Sequence, residues 1–583
     1  MTYSSVFTTT TTTVTATTTT VVGNISSVET WDILINTLNL NILKLISLIQ
    51  KIPGGNIIVR YIKSSYQNDP VRSIFEYALF LFALSYFFSA KRKENKSEIV
   101  RFSKNEITEL CEEWNPEPLI AEVDALEVWQ LKSIPEIKGQ NGSHIKLNGF
   151  GDETIVNLAS QDFLDLNENT DIKEAAKTEI KLAGVGACGP PNFYGTQDVH
   201  VRLEEDLAKY LGTEQAIIYG QDFVTAGSVI PAFLKRGDLC VVDRNINLAL
   251  QKALIISRAD IEWFDHNDMD HLEQILTQLK PVLAKQKPIR RRFIVTEGLF
   301  ANTGDIANLP DIVELKNKFK YRLFLDESLS IAVVGPKGKG LCDHFNIDPL
   351  EVSITIGSMA NSLASSGGFC VGVEPMIHHQ RISSNAYVFS ASLPPYSAKV
   401  ASRAIRIIQN TDSSDGKSVI VSKLHKLTDF AYKSISSALV DSSMSITSSP
   451  HSPIIHLALN EAYRSRLNLP LLYGNSTFVT TGKPSKHLNS FDDFLNVESF
   501  MLQKIIDYVL VNSKILITRS KLILEHENLP LIPPHLLINI NCGVSEEEIS
   551  RLVEVLPKAI EEVTRNINNE DEFFALTDEI INY

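Results

Sequence analysis

The chain has 583 residues, 44% of them hydrophobic and 21% charged, which excludes wholesale disorder, a collagen-like repeat and a polytopic membrane protein. A formal net charge of −14 excludes nucleic acid as a partner of the main body, because phosphate binding needs a basic surface. The six cysteines (Cys111, Cys188, Cys240, Cys342, Cys370, Cys542) form no CxxC pair and have no paired histidine spacing, so neither a disulfide framework nor a metal site is predicted.

Residues 7–20 read FTTTTTTVTATTTT, a run without apolar period, and a disordered tail is predicted over 1–30. It lacks the basic start and compact apolar stretch of a signal peptide. In residues 31–52, Trp31, Leu34, Ile35, Leu38, Ile42, Leu45, Ile46 and Ile49 recur at helical spacing, with Asp32, Asn36, Asn39, Ser47 and Gln50 opposite them. This pattern predicts an amphipathic helix lying in a membrane interface, ended by Pro53-Gly54-Gly55; a soluble surface helix and a spanning helix are the alternatives.

Residues 73–90, SIFEYALFLFALSYFFSA, predict a transmembrane helix, since at ~1.5 Å per residue they cover ~27 Å, about one hydrocarbon thickness. A buried core helix is the bland alternative. The one charge, Glu76, sits near an end, where it is tolerated best. Lys91, Arg92, Lys93, Lys96, Arg101 and Lys104 follow, against Arg60, Lys63 and Arg72 before it. The positive-inside rule then places residues 91–583 in the cytosol and the N-terminus in the lumen, where the sequon at Asn24 could carry a glycan.

Residues 91–150 read as a cytosolic linker. Over 151–400, candidate strands at 216–219, 239–242, 293–295, 322–325 and 353–356 are separated by helical stretches such as 202–211, 269–279 and 310–319. That alternation predicts an α/β domain with a mostly parallel sheet covered on both faces. Helical periodicity returns at 398–409, 423–439, 499–512 and 545–567, predicting a smaller α+β domain over 401–583, with a polar surface insertion at 474–492.

Several segments stand in a fixed order: NLASQDFLDL (157–166), GVGACGPPNFYGTQDVHVRLEEDLAKYLG (184–212), FDHND (264–268), TEGLFANTGD (296–305), FLDESLSIAVVGPKGKG (324–340), GSMANSLASSGG (357–368) and FSASLPP (389–395). The series resembles the α-oxoamine synthase family of pyridoxal-phosphate enzymes, from roughly residue 150 to the end. That resemblance implies the fold type I, aminotransferase-like transferase fold and the joining of an amino acid to an acyl-CoA with loss of CO2.

The family's Schiff-base lysine falls at Asn361, whose amide cannot form an imine. In the family's DEAHS segment the aspartate is kept as Asp326, but the histidine falls at Leu329. The histidine that stacks on the cofactor ring falls at Asn247, and the arginine pair near the C-terminus has no counterpart in residues 535–539. Four functional positions lost from one scaffold resemble the family's non-catalytic, membrane-anchored subunits, those of fungal type above all. The ACGPPNFYGTQDVH segment, the membrane-spanning N-terminus, Leu329 and Asn361 carry that match.

The resemblance implies an endoplasmic reticulum membrane subunit paired with a lysine-bearing catalytic partner that binds the pyridoxal 5'-phosphate. It also implies a small activating subunit and Orm-type regulatory membrane proteins. It sets Cys188 and Tyr194 near the partner's active site, against the plainer reading of Cys188 as a small residue permitting close packing. It gives Ser390 a contact to the partner-bound cofactor phosphate, against a simple turn in which Ser392 caps the next helix. Asp326 reads as vestigial, bonded to local backbone, and His200 and His266 read as structural histidines. Residues 335–340, GPKGKG, lack P-loop spacing and read as the loop following the DEAHS strand. Two other functions remain open: a self-sufficient enzyme using another lysine, and a membrane scaffold with no active-site role.

Overall fold

The computed structural model describes residues 40–583 apart from 42, 45, 95–101, 115–118, 120–124, 286–288, 413–415, 475–491, 523–526 and 528. The threonine-rich tail, Asn24, the first part of the expected interfacial helix and nearly all of the expected insertion lie outside the described residues. The chain divides into two units, Met1–Ala121 and Glu122–Tyr583.

In the first unit the described residues between 40 and 49 are helical. Helix α1 (Gly55–Asn68), which the sequence reading passed over, precedes α2 (Pro70–Glu94) and α3 (Lys104–Glu113). Proline has no N–H to donate and suits a helix start, and Asp69 accepts from the main-chain N–H groups of Val71 and Arg72 at 3.2 and 3.1 Å, so the chain restarts as a new helix at Pro70. The stretch Pro70–Phe88 is long and apolar enough to cross a membrane. Ser65 and Ser73 bond side chain to side chain at 2.9 Å across the break. Helix α3 begins in a capping box between Ser103 and Glu106.

The second unit contains strands β1 (His144–Ile145), β2 (Ile155–Asn157), β3 (Gln215–Tyr219), β4 (Leu239–Asp243), β5 (Asp260–Phe264), β6 (Arg292–Glu297), β7 (Arg322–Asp326), β8 (Ile354–Ser358), β9 (Gly368–Gly372), β10 (Met444–Ile446), β11 (Ile454–Leu459), β12 (Ile515–Leu516), β13 (Thr518–Arg519) and β14 (Leu536–Asn539). Its longer helices are α4 (Thr170–Ala183), α5 (Asp198–Leu211), α6 (Phe223–Phe233), α7 (Leu248–Ser257), α8 (Met269–Ala284), α9 (Leu309–Phe319), α10 (Pro395–Ile408), α11 (Val419–Ala438), α12 (Asp493–Ser513) and α13 (Glu546–Thr564).

Seven strands form the main sheet in the order β3-β9-β8-β7-β6-β4-β5. From β5 to β8 the pairings are parallel, and β9 runs antiparallel to both β8 and β3. The five predicted strands are present with small end shifts; β5 and β9 are additional. Strands β4 and β9 are buried along their whole length, as expected where helices cover both faces. Helix α10 packs against α4 and α5. Small residues (Ala398, Ala401, Ala404) occupy its buried face and let the backbones approach, while Arg403–Asp171 at 3.0 Å and Lys399–Glu179 at 3.7 Å lie at the margin.

A second apolar core gathers residues from both ends of this unit. Buried Trp129 stacks edge-on against Phe500 of α12, donates Nε1–H to Asn496 at 3.1 Å and lies 4.6 Å from the Arg519 guanidinium. Two small sheets, β1-β2-β12 and β10-β11-β14-β13, border this core.

Candidate functional site

Parallel strands expose the ends of their carboxyl termini at one edge of the sheet, where ligands bind in this class of fold. Here Glu297 ends β6, Asp326 ends β7, and the two are register partners. Asp326 accepts from the Ser328 main-chain N–H at 2.9 Å and its hydroxyl at 2.5 Å, and from the Asn247 side-chain amide at 3.0 Å. Asn247 is the N-cap of α7: its Oδ1 accepts from Leu250 N–H at 3.0 Å, while its own N–H donates to Glu297. Glu297 also accepts from Ala301 N–H at 3.1 Å. Burial raises the pKa of both carboxyls above the ordinary range, and in Glu297 the neighbouring Asp326 adds to the effect.

These groups line a cavity of about 220 Å³ together with Asp222, Leu329 and Asn361. Leu329 is buried, and Asn361 donates its amide to the Ser328 carbonyl at 3.3 Å. Asp222 holds the N-cap of α6, where backbone N–H groups favour an anion. Burial pushes its carboxyl up to about 6, with a bond to Ser358 opposing and Asp326 adding. Sequence reading missed Asp222 and Glu297. Glu297 was within reach, as an acid just past a predicted strand end; Asp222 had no signal beyond preceding a helix.

The family cofactor carries a phosphate of about −1.5 to −2 charge and is held through a lysine imine. Among the described residues the cavity lining has three carboxyls, the Asn361 amide and no lysine, arginine or histidine. These residues do not fit the cofactor.

A second set of residues lies elsewhere. Cys188 and Tyr194 are exposed, and both adopt left-handed backbone, with φ of 58° and 67°. Ser390 is exposed on the segment that the Gly-rich loop touches: the Ser392 N–H donates to the Gly189 carbonyl at 2.9 Å. Cys188, Tyr194 and Ser390 therefore stand on two segments that are stitched together. Ser392 is not the expected helix cap. Pro394 holds the N-cap of α10 and nothing caps it through a side chain, while the Ser392 hydroxyl is buried without a bond partner among the described residues.

His266 bridges Asp243 at 2.9 Å and Asp305 at 2.9 Å. Burial alone would lower its pKa, but the two carboxylates outweigh it and hold the ring protonated to about 10. His200 lies in the first turn of α5 rather than before it, buried and bonded on both ring nitrogens. Buried His535 stacks on His456 with ring centroids 4.4 Å apart. The 335–340 loop is tied to protein groups: Lys337 N–H donates to Asp343 at 2.7 Å and the Tyr210 hydroxyl to the Gly338 carbonyl at 2.6 Å. Among the described residues no cluster of histidine, cysteine and acidic side chains could hold a metal ion.

A model of the family described as aminotransferase class I and II matches residues 153–556. Serine palmitoyltransferase 1 of Saccharomyces cerevisiae is 42% identical over 525 residues, covering 88% of this chain and 92% of that protein. Serine palmitoyltransferase 1 of Dictyostelium discoideum is 33% identical, covering 86% of this chain and 97% of that protein. The chain therefore belongs to the aminotransferase class I and II family, in the branch of the serine palmitoyltransferase 1 proteins. Among solved structures it is similar to the serine palmitoyltransferase of S. paucimobilis bound to a PLP–myriocin aldimine, with a TM-score of 0.61, 17% identity and coverage of 77% of this chain and 100% of that one. The Sphingomonas wittichii enzyme gives a TM-score of 0.60 at 18% identity, covering the same shares. These two likenesses bear on the fold.

Proposed function

We propose that this chain is the non-catalytic, membrane-anchored subunit of a heteromeric serine palmitoyltransferase. The complex condenses L-serine with palmitoyl-CoA to 3-ketosphinganine, CO2 and CoA, the first step of sphingolipid long-chain-base synthesis. One observation carries the reading: the cavity at the carboxyl edge of the sheet keeps the family's framework but holds Asn361, Asn247 and Leu329 among three carboxyls. The pyridoxal phosphate then belongs to a lysine-bearing partner, whose bound cofactor supplies the electron sink for decarboxylation and carbon–carbon bond formation.

On this reading the chain's own contribution is shape. Cys188 and Tyr194 wall the partner's substrate pocket and exclude water from it, and the Ser390 hydroxyl donates to the partner-bound phosphate. Asp326 is vestigial, satisfied by Ser328 and Asn247. The helix at Pro70–Phe88 supports a single membrane pass in the endoplasmic reticulum, with the N-terminus lumenal and a two-domain body (151–400 and 401–583) in the cytosol. A small activating subunit and Orm-type proteins complete the assembly.

The test is purification of the chain alone and with its co-purifying partner from detergent-solubilised membranes. The pair should show the visible absorbance of an imine-bound cofactor and turn over serine with palmitoyl-CoA, and the chain alone should do neither. An imine band in the isolated chain would overturn the proposal.

A further inference from the structure

The left-handed backbone at Cys188 and Tyr194 is costly for residues with a Cβ, and such conformations persist only where surrounding structure fixes them. The loop is held by its own bonds, such as Gly195 N–H to the Pro190 carbonyl at 2.9 Å, and His200 ties its downstream end to the Ser390 segment. Its Nδ1 accepts from the Gln197 N–H at 3.0 Å, which closes the end of the Gly-rich loop onto α5. Its Nε2 lies 2.6 Å from the Leu393 carbonyl, in the segment that carries Ser390. One nitrogen faces a donor and the other a group that only accepts, so the ring is neutral with its proton on Nε2. The two segments also meet at Ser392 and Gly189, and Gly195 allows that approach: a Cβ there would lie 1.9 Å from the Gly189 oxygen and 2.7 Å from the Ser392 hydroxyl.

We propose that His200 is a positioning residue: through Gln197 and Leu393 it latches the Cys188–Tyr194 loop to the Ser390 segment, so that both present one fixed face to the partner's active site. The proposal rests on the functional reading above. His200 is buried with both ring nitrogens bonded to main-chain groups, so it acts through the two segments that it joins.

The experiment uses the reconstituted complex with His200→Leu, which removes both bonds, and His200→Gln, whose amide oxygen and NH2 can replace the two ring nitrogens. Expected for His200→Leu is a complex that assembles with its cofactor band intact, kcat down about tenfold and serine KM within about twofold. His200→Gln should recover most of the rate. Wild-type kcat in an assembled His200→Leu complex would overturn the proposal, as would loss in His200→Gln equal to that in His200→Leu. If His200→Leu fails to assemble, amide exchange in the wild-type complex decides: matched protection of the Gln197 and Ser392 amides supports the latch, and free exchange at Ser392 overturns it. Cys188→Trp is measured in parallel. If it changes turnover while His200→Leu does not, the latch fails and the functional reading stands; if neither changes turnover, both fall.

Discussion

The side-chain amide of Asn247 donates to the Asp326 carboxylate at 3.0 Å, so the two groups satisfy each other within the cavity that they line. The same asparagine caps α7, which ties this pair to the start of a helix. A change at Asn361 alone therefore leaves this pair in place.

Asn361→Lys should give neither activity nor an imine with pyridoxal phosphate in the isolated chain. The new ammonium would stand among Asp222, Glu297 and Asp326, and nearby carboxylates favour the charged amine, which is not the nucleophile. The measurement is visible absorbance on titration with the cofactor, and an imine band would refute the expectation.

His266 should make the body sensitive to alkali. Its folded pKa of about 10 lies above the ordinary 6.5, so its stabilisation is complete below pH 6.5 and is lost as pH rises through about 10. Asp305→Asn removes one of its two charged partners and should cost about 1–3 kcal/mol near neutrality. The gap in Tm between wild type and variant should narrow toward pH 10. A gap independent of pH would show that the ring is not protonated in the folded protein.

The stacked pair His456–His535 should act in the opposite direction. Burial lowers both, His535 to about 4, so the stability they confer is present above pH 6.5 and lost as pH falls toward 4. His456 has no bond partner on either ring nitrogen among the described residues, so His456→Phe removes a basic group without breaking a hydrogen bond. Urea midpoints at pH 7 and pH 5 should decline less in the variant than in wild type. Carboxyls with raised pKa, such as Glu327 and Glu498 at about 7, work the other way but cancel in that difference. Equal declines would rule out a contribution from the pair.

Cys188→Trp should lower turnover of the assembled complex about tenfold, which corresponds to ~1.4 kcal/mol of transition-state stabilisation. It should also relax the preference for serine over alanine, since rejecting a substrate without the hydroxyl depends on polar partners held in place. Unchanged rates with both amino acids would place the loop away from the chemistry.

For the membrane segment, a glycan acceptor inserted beyond residue 100 should stay unmodified while Asn24 is available for modification. Modification of the downstream acceptor would invert the proposed orientation.

The sheet was legible where strands were β-rich and flanked by helical stretches. Strand β9 escaped because Gly368 and Gly372 bracket only three apolar residues, and β5 because the charges of Asp260 and Glu262 suit an edge strand poorly recognised by propensity. Asn361, Asn247 and Leu329, picked out in the sequence through the resemblance, line one cavity, so the place of that cavity was legible. The acid lining was not, because Asp222 and Glu297 lie 75 residues apart in sequence and meet only through the sheet topology. The His456–His535 stack was hidden for the same reason. Helix α1 was masked by the Pro53-Gly54-Gly55 break before it, although Ile57, Ile58, Tyr61 and Ile62 recur at helical period.

Strand β2 pairs with β12 through Ile515 opposite Val156 and Leu516 opposite Asn157. Trp129 is likewise covered by Asn496 and Phe500. The segment near residues 129–157 thus finds its native neighbours only after roughly 360 further residues have been made, which at ~5–20 residues per second takes tens of seconds. During that interval the large sheet can close while Trp129, Ile155 and Val156 wait uncovered. Nascent chains halted before residue 515 should therefore be recognised by chaperones at the amino-terminal end of the body, far in sequence from the point at which synthesis stopped.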